Sequence, residues 1–222
     1  MTLETHTLDA IDGARVDALV ARPAAAPRGL VIVAQEIFGV NDYIRWVLQE
    51  QYARHGWLAV APRFFDRIER GVELGYTPQT TARGRELVAS LGFDAPLRDI
   101  HAARRAFGDG LRAGVVGYCW GGTVAFLAAT RMGLPAVAYY GGRTVPFLHE
   151  HPQAPVLMHF GEHDPIIPPT DRERILHALP QARAYVYDAA HGFNRHGHAD
   201  WREASAALAL ERTHAFFAEH LA

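Results

Sequence analysis

The stretch Val115-Val116-Gly117-Tyr118-Cys119-Trp120-Gly121-Gly122 decides how the chain is read. A short apolar run ends in Gly-Tyr-Cys-Trp-Gly and passes directly into an apolar helical pattern over residues 122–132. Gly-x-Cys-x-Gly between a strand and a helix is the nucleophile-elbow pattern, with cysteine at its centre. So sharp a turn strains the central residue, and the flanking positions two residues to either side must be small. The thiol then stands at a helix N-terminus, whose partial positive charge favours a thiolate and a developing oxyanion. A buried structural cysteine is the common alternative for a free thiol, but it needs no such glycine spacing. Ser90 and Ser205, the only serines, lie in helical patterns without a glycine elbow, so a serine nucleophile has no place here.

Outward from the elbow, short apolar runs alternate with helix-period stretches. The predicted strands are 29–35, 58–62, 113–118, 136–140, 155–160 and 184–188. The predicted helices are 44–55, 80–90, 96–107, 122–132, 171–179 and 201–221. A polar/apolar N-terminal β-hairpin is expected over 4–9 and 15–20, turning at Asp12-Gly13. Such alternation predicts an α/β fold, a mostly parallel sheet flanked by helices and joined by right-handed crossovers. With no repeat, low-complexity run or long linker, residues 1–222 are expected to form a single domain without a separate cap. Sites in such sheets form at the carboxyl ends of strands, here just after Gln35, Tyr118, Phe160 and Asp188.

Two of these strand ends offer partners for a nucleophile. His159-Phe160-Gly161-Glu162-His163-Asp164-Pro165 places Asp164 where a fixed carboxylate can hold an imidazole. Asp188-Ala189-Ala190-His191-Gly192-Phe193 places His191 in a tight loop from which it can lean over the elbow. With thirteen histidines in the chain neither is specific alone; the order nucleophile, acid, histidine carries the assignment. Glu162 and His163 are read as loop residues. A third strand end, Val33-Ala34-Gln35-Glu36-Ile37-Phe38-Gly39-Val40-Asn41, supplies one oxyanion-hole N–H at Ile37, and Trp120 supplies the other. Glu36 is the odd residue of this stretch, because an unneutralised carboxylate would oppose an oxyanion.

Composition removes several other chemistries. Of 222 residues, 49% are hydrophobic, and 22 basic residues face 24 acidic ones for a net charge of −2. That balance gives no electrostatic footprint for nucleic acid or an anionic membrane. All the basic residues are arginines, which excludes Schiff-base, pyridoxal-phosphate and P-loop lysines. Cys119 is the single cysteine, so there is no internal disulfide and no resolving thiol for a redox sensor. The spacing Gly117-x-x-x-Gly121-Gly122 is not a dinucleotide fingerprint, and no cofactor is expected. His191, His196, His198 and Asp200 are conceivable zinc ligands, but Gly192 and Gly197 argue against a rigid ligand face. The N-terminus reads as no signal peptide and no run reaches the roughly 20 apolar residues of a membrane span. A cytoplasmic monomer is expected, with Leu208, Leu210, Phe216 and Phe217 of the last helix facing the core.

At these residues the sequence resembles the dienelactone hydrolase (carboxymethylenebutenolidase) family of α/β-hydrolases. The resemblance rests on residues 34–41, 116–122, Tyr139-Tyr140-Gly141, Gly161-Glu162-His163-Asp164 and Ala190-His191-Gly192-Phe193, and it covers nearly the whole chain. It implies a Cys119–His191–Asp164 triad that hydrolyses a small-molecule lactone or activated ester through a thioester. It further implies that Glu36 contacts the resting thiol and takes its proton, and that two arginines bind a substrate carboxylate. The arginine candidates are Arg85, with Arg83 as its alternative, and Arg195; a guanidinium grips a carboxylate bidentately. The run Glu86-Leu-Val-Ala-Ser-Leu-Gly92 departs from the pattern, being small or aliphatic where aromatic pocket walls are expected. A more open pocket would suit a broader cysteine esterase, with no carboxylate requirement; a non-catalytic binder of small ligands is the remaining alternative.

Overall fold

Fully apolar runs of four to six residues become buried strands, because an extended segment can bury both faces only where helices cover both sides of the sheet. The computed structural model describes residues 2–222. The chain divides into two units, one up to Gly114 together with Leu221–Ala222, and one spanning Val115–His220.

In the first unit β1 (Leu3–Asp9) and β2 (Arg15–Ala21) form the expected hairpin, with Leu3 opposite Ala21 and Asp9 opposite Arg15. Its turn closes through Gly13, at φ +82°, whose N–H donates to the Ala10 carbonyl at 2.9 Å. β2 runs antiparallel to β4 (Leu58–Pro62), and β4 runs parallel to β3 (Leu30–Ala34). Every residue of β3 and β4 is buried. The helix expected over 44–55 is three segments: α1 (Asp42–Trp46), a π-turn over Val47–Tyr52 and a 3₁₀ turn over Ala53–His55. Asn41 caps α1, accepting the Ile44 N–H on its side chain. α2 (Pro78–Leu91) begins with a capping box between Thr77 and Thr80, and α3 (Asp94–Phe107) follows. Arg67 bonds both the buried Asp99 of α3 and Asp12 of the hairpin turn at 2.8 Å, pinning the hairpin to this helix.

β5 (Ala113–Tyr118), which belongs to the second unit from Val115 on, β6 (Ala136–Tyr139), β7 (Val156–Gly161) and β8 (Arg183–Tyr187) pair in that order, all parallel. α4 (Trp120–Met132) joins β5 to β6 and α5 (Pro169–Ala178) joins β7 to β8; α6 (Glu203–Leu221) closes the chain. α4 is buried from Trp120 to Thr130, so it is apolar all round. On α6 the inward stripe is Ala206, Ala209, Thr213, Phe216 and Phe217. Leu208, expected in the core, is 41% exposed, because its position falls on the face opposite that stripe.

Behind the strand ends of this unit lies a buried polar chain. His159 of β7 meets the Tyr187 hydroxyl at 2.8 Å through Nδ1 and Thr213 Oγ1 at 3.0 Å through Nε2. Thr213 also reaches the Tyr139 hydroxyl at 2.8 Å. Burial, with Arg212 nearby, pushes the His159 pKa down to about 3, so the imidazole is neutral and satisfied on both nitrogens.

Candidate active site

Cys119 follows β5 directly and caps α4 with φ +57° and ψ −120°, a region that L-residues seldom occupy. Such a conformation costs about 1–3 kcal/mol and persists only where its surroundings enforce it. Here the enforcement is visible. A Cβ on Gly117 would sit 1.8 Å from the Gly121 carbonyl oxygen, and one on Gly122 would sit 2.8 Å from that of Tyr139. The turn thus folds back on itself more tightly than any side chain permits, which is the physical content of the Gly-x-Cys-x-Gly spacing. The Cys119 N–H donates to the Tyr139 carbonyl at 3.0 Å, anchoring the elbow to the end of β6. Trp120 opens α4, so its N–H lies at the positive end of the helix.

The loops after β7 and β8 are laced together. Glu162 N–H donates to the Tyr187 carbonyl at 2.8 Å and His163 N–H to the Ala189 carbonyl at 3.0 Å. A Cβ on Gly161 would approach the Ala189 oxygen to 2.5 Å. This lacing brings Asp164 and His191 together, with His191 Nδ1 lying 2.7 Å from Asp164 Oδ2. The other oxygen, Oδ1, accepts N–H bonds from Ile166 at 2.8 Å and Ile167 at 3.2 Å, so the carboxylate cannot rotate freely. The His191 ring packs 4.9 Å from that of Tyr140, itself held at φ +40°.

With Nδ1 committed to Asp164, Nε2 is the nitrogen available for proton transfer. It is buried and forms no hydrogen bond of regular geometry. Burial opposes a charge on this ring, yet Cys119 and Asp164 together push the His191 pKa up to about 10. The electrostatics favour an imidazolium beside Cys119, as a thiol and base acting together require.

Arg195, buried, donates to Asp200 Oδ2 at 2.9 Å and lies against Gly192, where a Cβ would come within 2.7 Å of the guanidinium carbon. His198 shares Asp200 at 3.2 Å and His196 packs on Trp201. Among the described residues no three His, Cys, Asp or Glu side chains gather into a metal-binding group.

The remaining expected residues belong to the first unit. Glu36 is buried just beyond β3, and its carbonyl accepts a bond from Gln35 Nε2 at 3.4 Å. Ile37 follows it, and its carbonyl oxygen is approached by α2 so closely that a Cβ on Gly84 would lie 2.3 Å away. Beside Gly84, Arg83 is engaged by Glu69 and Glu86, whereas Arg85 is exposed and makes no ion pair among the described residues. Sequence reasoning missed Gly84, Tyr76 and Asn41. The Tyr76 hydroxyl donates to Glu36 Oε2 at 3.2 Å, and Asn41 Nδ2 donates to that hydroxyl, also at 3.2 Å. A glycine inside a helix pattern is a legible oddity; the tyrosine carried no signal, and the asparagine none beyond its place in the 34–41 motif.

The family model described as the dienelactone hydrolase family matches residues 16–221. The chain belongs to the dienelactone hydrolase family. A carboxymethylenebutenolidase of Pseudomonas putida is 33% identical over 237 residues, covering 98% of this chain and 97% of that protein. The carboxymethylenebutenolidase of Pseudomonas knackmussii gives the same figures. A solved structure from Klebsiella pneumoniae, provisionally assigned as a dienelactone hydrolase, is 31% identical with a TM-score of 0.85, covering 99% of this chain and all of that one. A dienelactone-hydrolase-like promiscuous phosphotriesterase from metagenomic libraries, 21% identical with a TM-score of 0.73, shares the fold. This dienelactone hydrolase family member therefore has the α/β-hydrolase fold, with mostly parallel strands between helices, and is an enzyme that hydrolyses lactones or esters. No helix among the described residues is long and apolar enough to cross a membrane.

Proposed function

We propose that this enzyme cleaves a lactone or activated carboxylic ester through Cys119, His191 and Asp164, by way of a thioester on Cys119. The observation that carries this reading is the strained Cys119 at the start of α4, in the same unit as a histidine whose Nδ1 is fixed 2.7 Å from Asp164 and whose positive charge Cys119 favours. Cys119 gives up its proton to His191 or Glu36, and the thiolate adds to the carbonyl carbon, whose π pair moves onto oxygen. The N–H groups of Trp120 and Ile37 hold that oxyanion, at about 3–4 kcal/mol per donor. Collapse expels the alcohol oxygen, which takes the Cys119 proton back from whichever of His191 Nε2 and Glu36 received it, and leaves the thioester. Water then adds to the thioester, giving its proton to His191, and the thiolate departs with the acid released. A thiolate expels alkoxide poorly, so enol lactones and other esters with stabilised leaving groups are the substrates of choice.

The family resemblance adds Glu36 as the acceptor that the resting thiol contacts, and Arg85 and Arg195 as ligands of a substrate carboxylate. The family match across both units supports reading the chain as one α/β-hydrolase domain. A second reading, an esterase without a carboxylate requirement, draws on the commitment of Arg195 to Asp200. Steady-state hydrolysis of a dienelactone and of p-nitrophenyl acetate distinguishes the two. Cys119→Ala is expected to abolish both activities, and its retention of either at wild-type rate contradicts the mechanism. Selective loss of dienelactone turnover in Arg195→Ala supports the carboxylate site; no change on either substrate favours the second reading.

A further inference from the structure

We propose that Tyr76 is a positioning residue for Glu36, its hydroxyl fixing the direction of the carboxylate that receives the Cys119 proton. The proposal rests on the reading of Glu36 given above. Four bonds make the arrangement directional. Asn41 Oδ1 accepts the Ile44 N–H at 3.3 Å to cap α1, which sets the orientation of its amide. Its Nδ2 then donates to the Leu74 carbonyl and to the Tyr76 hydroxyl oxygen, each at 3.2 Å. With a donor arriving at its oxygen, Tyr76 has its single proton to offer elsewhere, and Glu36 Oε2 receives it at 3.2 Å.

The backbone holds this chain in place. Residues 72–76 run along residues 38–41, joined by the Leu74 N–H to the Phe38 carbonyl at 2.8 Å and by a bridge between Gly39 and Glu73. Gly39 permits the approach: at φ +80°, a Cβ there would lie 2.3 Å from the Val72 oxygen. The Tyr76 ring meets Phe38 edge-on at 4.5 Å, so the ring is seated independently of its hydroxyl. Glu36 is 1% exposed, and a carboxylate so buried needs donors arranged in advance. A tyrosine held from behind by an amide is such a donor, supplied from 40 residues away in the chain.

A double-mutant cycle tests the proposal, because a merely structural role for Tyr76 would act regardless of what stands at position 36. Turnover of a dienelactone and of p-nitrophenyl acetate is measured for wild type, Tyr76→Phe, Glu36→Gln and the double variant. Tyr76→Phe keeps the ring and removes the hydroxyl; kcat is expected to fall about tenfold, with KM within about twofold. In the Glu36→Gln background the same substitution is expected to change kcat no further. An equal loss in both backgrounds overturns the proposal, and so does an unchanged Tyr76→Phe enzyme beside an impaired Glu36→Gln one. If Glu36→Gln itself turns over at the wild-type rate, the assignment of Glu36 fails and this inference fails with it.

Discussion

Asp164 holds His191 with one carboxylate oxygen, Oδ2 at 2.7 Å from Nδ1, while its other oxygen is tied to the backbone N–H groups of Ile166 and Ile167. The division of labour fixes both the tautomer and the tilt of the imidazole, leaving Nε2 for chemistry. Asp164→Asn preserves shape and the Oδ1 bonds but turns an amide toward Nδ1, which selects the wrong tautomer. We expect kcat to fall by about 10⁴-fold with the fold intact. Circular dichroism beside steady-state kinetics checks this, and a loss under tenfold would count against the triad.

His191→Gln removes the positive partner of Cys119. Alkylation of Cys119 by iodoacetamide at pH 7 is expected to slow by at least about tenfold relative to wild type. An unchanged alkylation rate would show that the thiol owes nothing to His191.

Gly84→Ala places a methyl 2.3 Å from the Ile37 carbonyl oxygen, a contact between backbones that no side-chain rotation relieves. α2 must shift, and the cost is expected at about 1–3 kcal/mol, visible as a lowered urea midpoint. Because the same contact sets the Ile37 peptide, turnover should fall beyond what partial unfolding explains. A variant as stable and active as wild type would show that α2 has room to move.

Much of this was legible in the sequence, and the reason is locality. The strand expected over 113–118 is β5 residue for residue, since a six-residue apolar run closed by Gly-Tyr-Cys-Trp-Gly contains both its own burial pattern and its own stop. Asp164 and His191 were legible as loop residues at strand ends, although their 2.7 Å approach depends on lacing between the loops that no spacing encodes. Tyr76 left no trace, because it acts across 40 residues through one polar atom, and Asn41, although inside the 34–41 motif, reaches Tyr76 across 35 residues that no local spacing encodes. The π-turn over Val47–Tyr52 was equally hidden: buried Val47, Leu48, Gln51 and Tyr52 have the spacing of an ordinary helix face.

His159 gives stability an acid limb. Its pKa is about 3 in the folded protein, below the ordinary value of 6.5, so below pH 6.5 the unfolded chain binds a proton that the native one refuses. Its contribution is therefore full above pH 6.5 and is lost progressively as the pH falls toward 3. Between pH 7 and pH 5 the loss should be about 2 kcal/mol in urea unfolding. His159→Gln, though less stable at pH 7, should lack that part of the slope; identical pH dependence in the two proteins would contradict the assignment.

If the acyl group passes through Cys119, it can be trapped there. The enzyme is mixed with a slowly hydrolysed activated ester, quenched in acid during turnover, digested and analysed by mass spectrometry. An acyl mass is expected on the peptide carrying Cys119, removed by neutral hydroxylamine and absent from Cys119→Ala. Accumulation of product with no acyl adduct, or with the adduct on another residue, would contradict passage through Cys119.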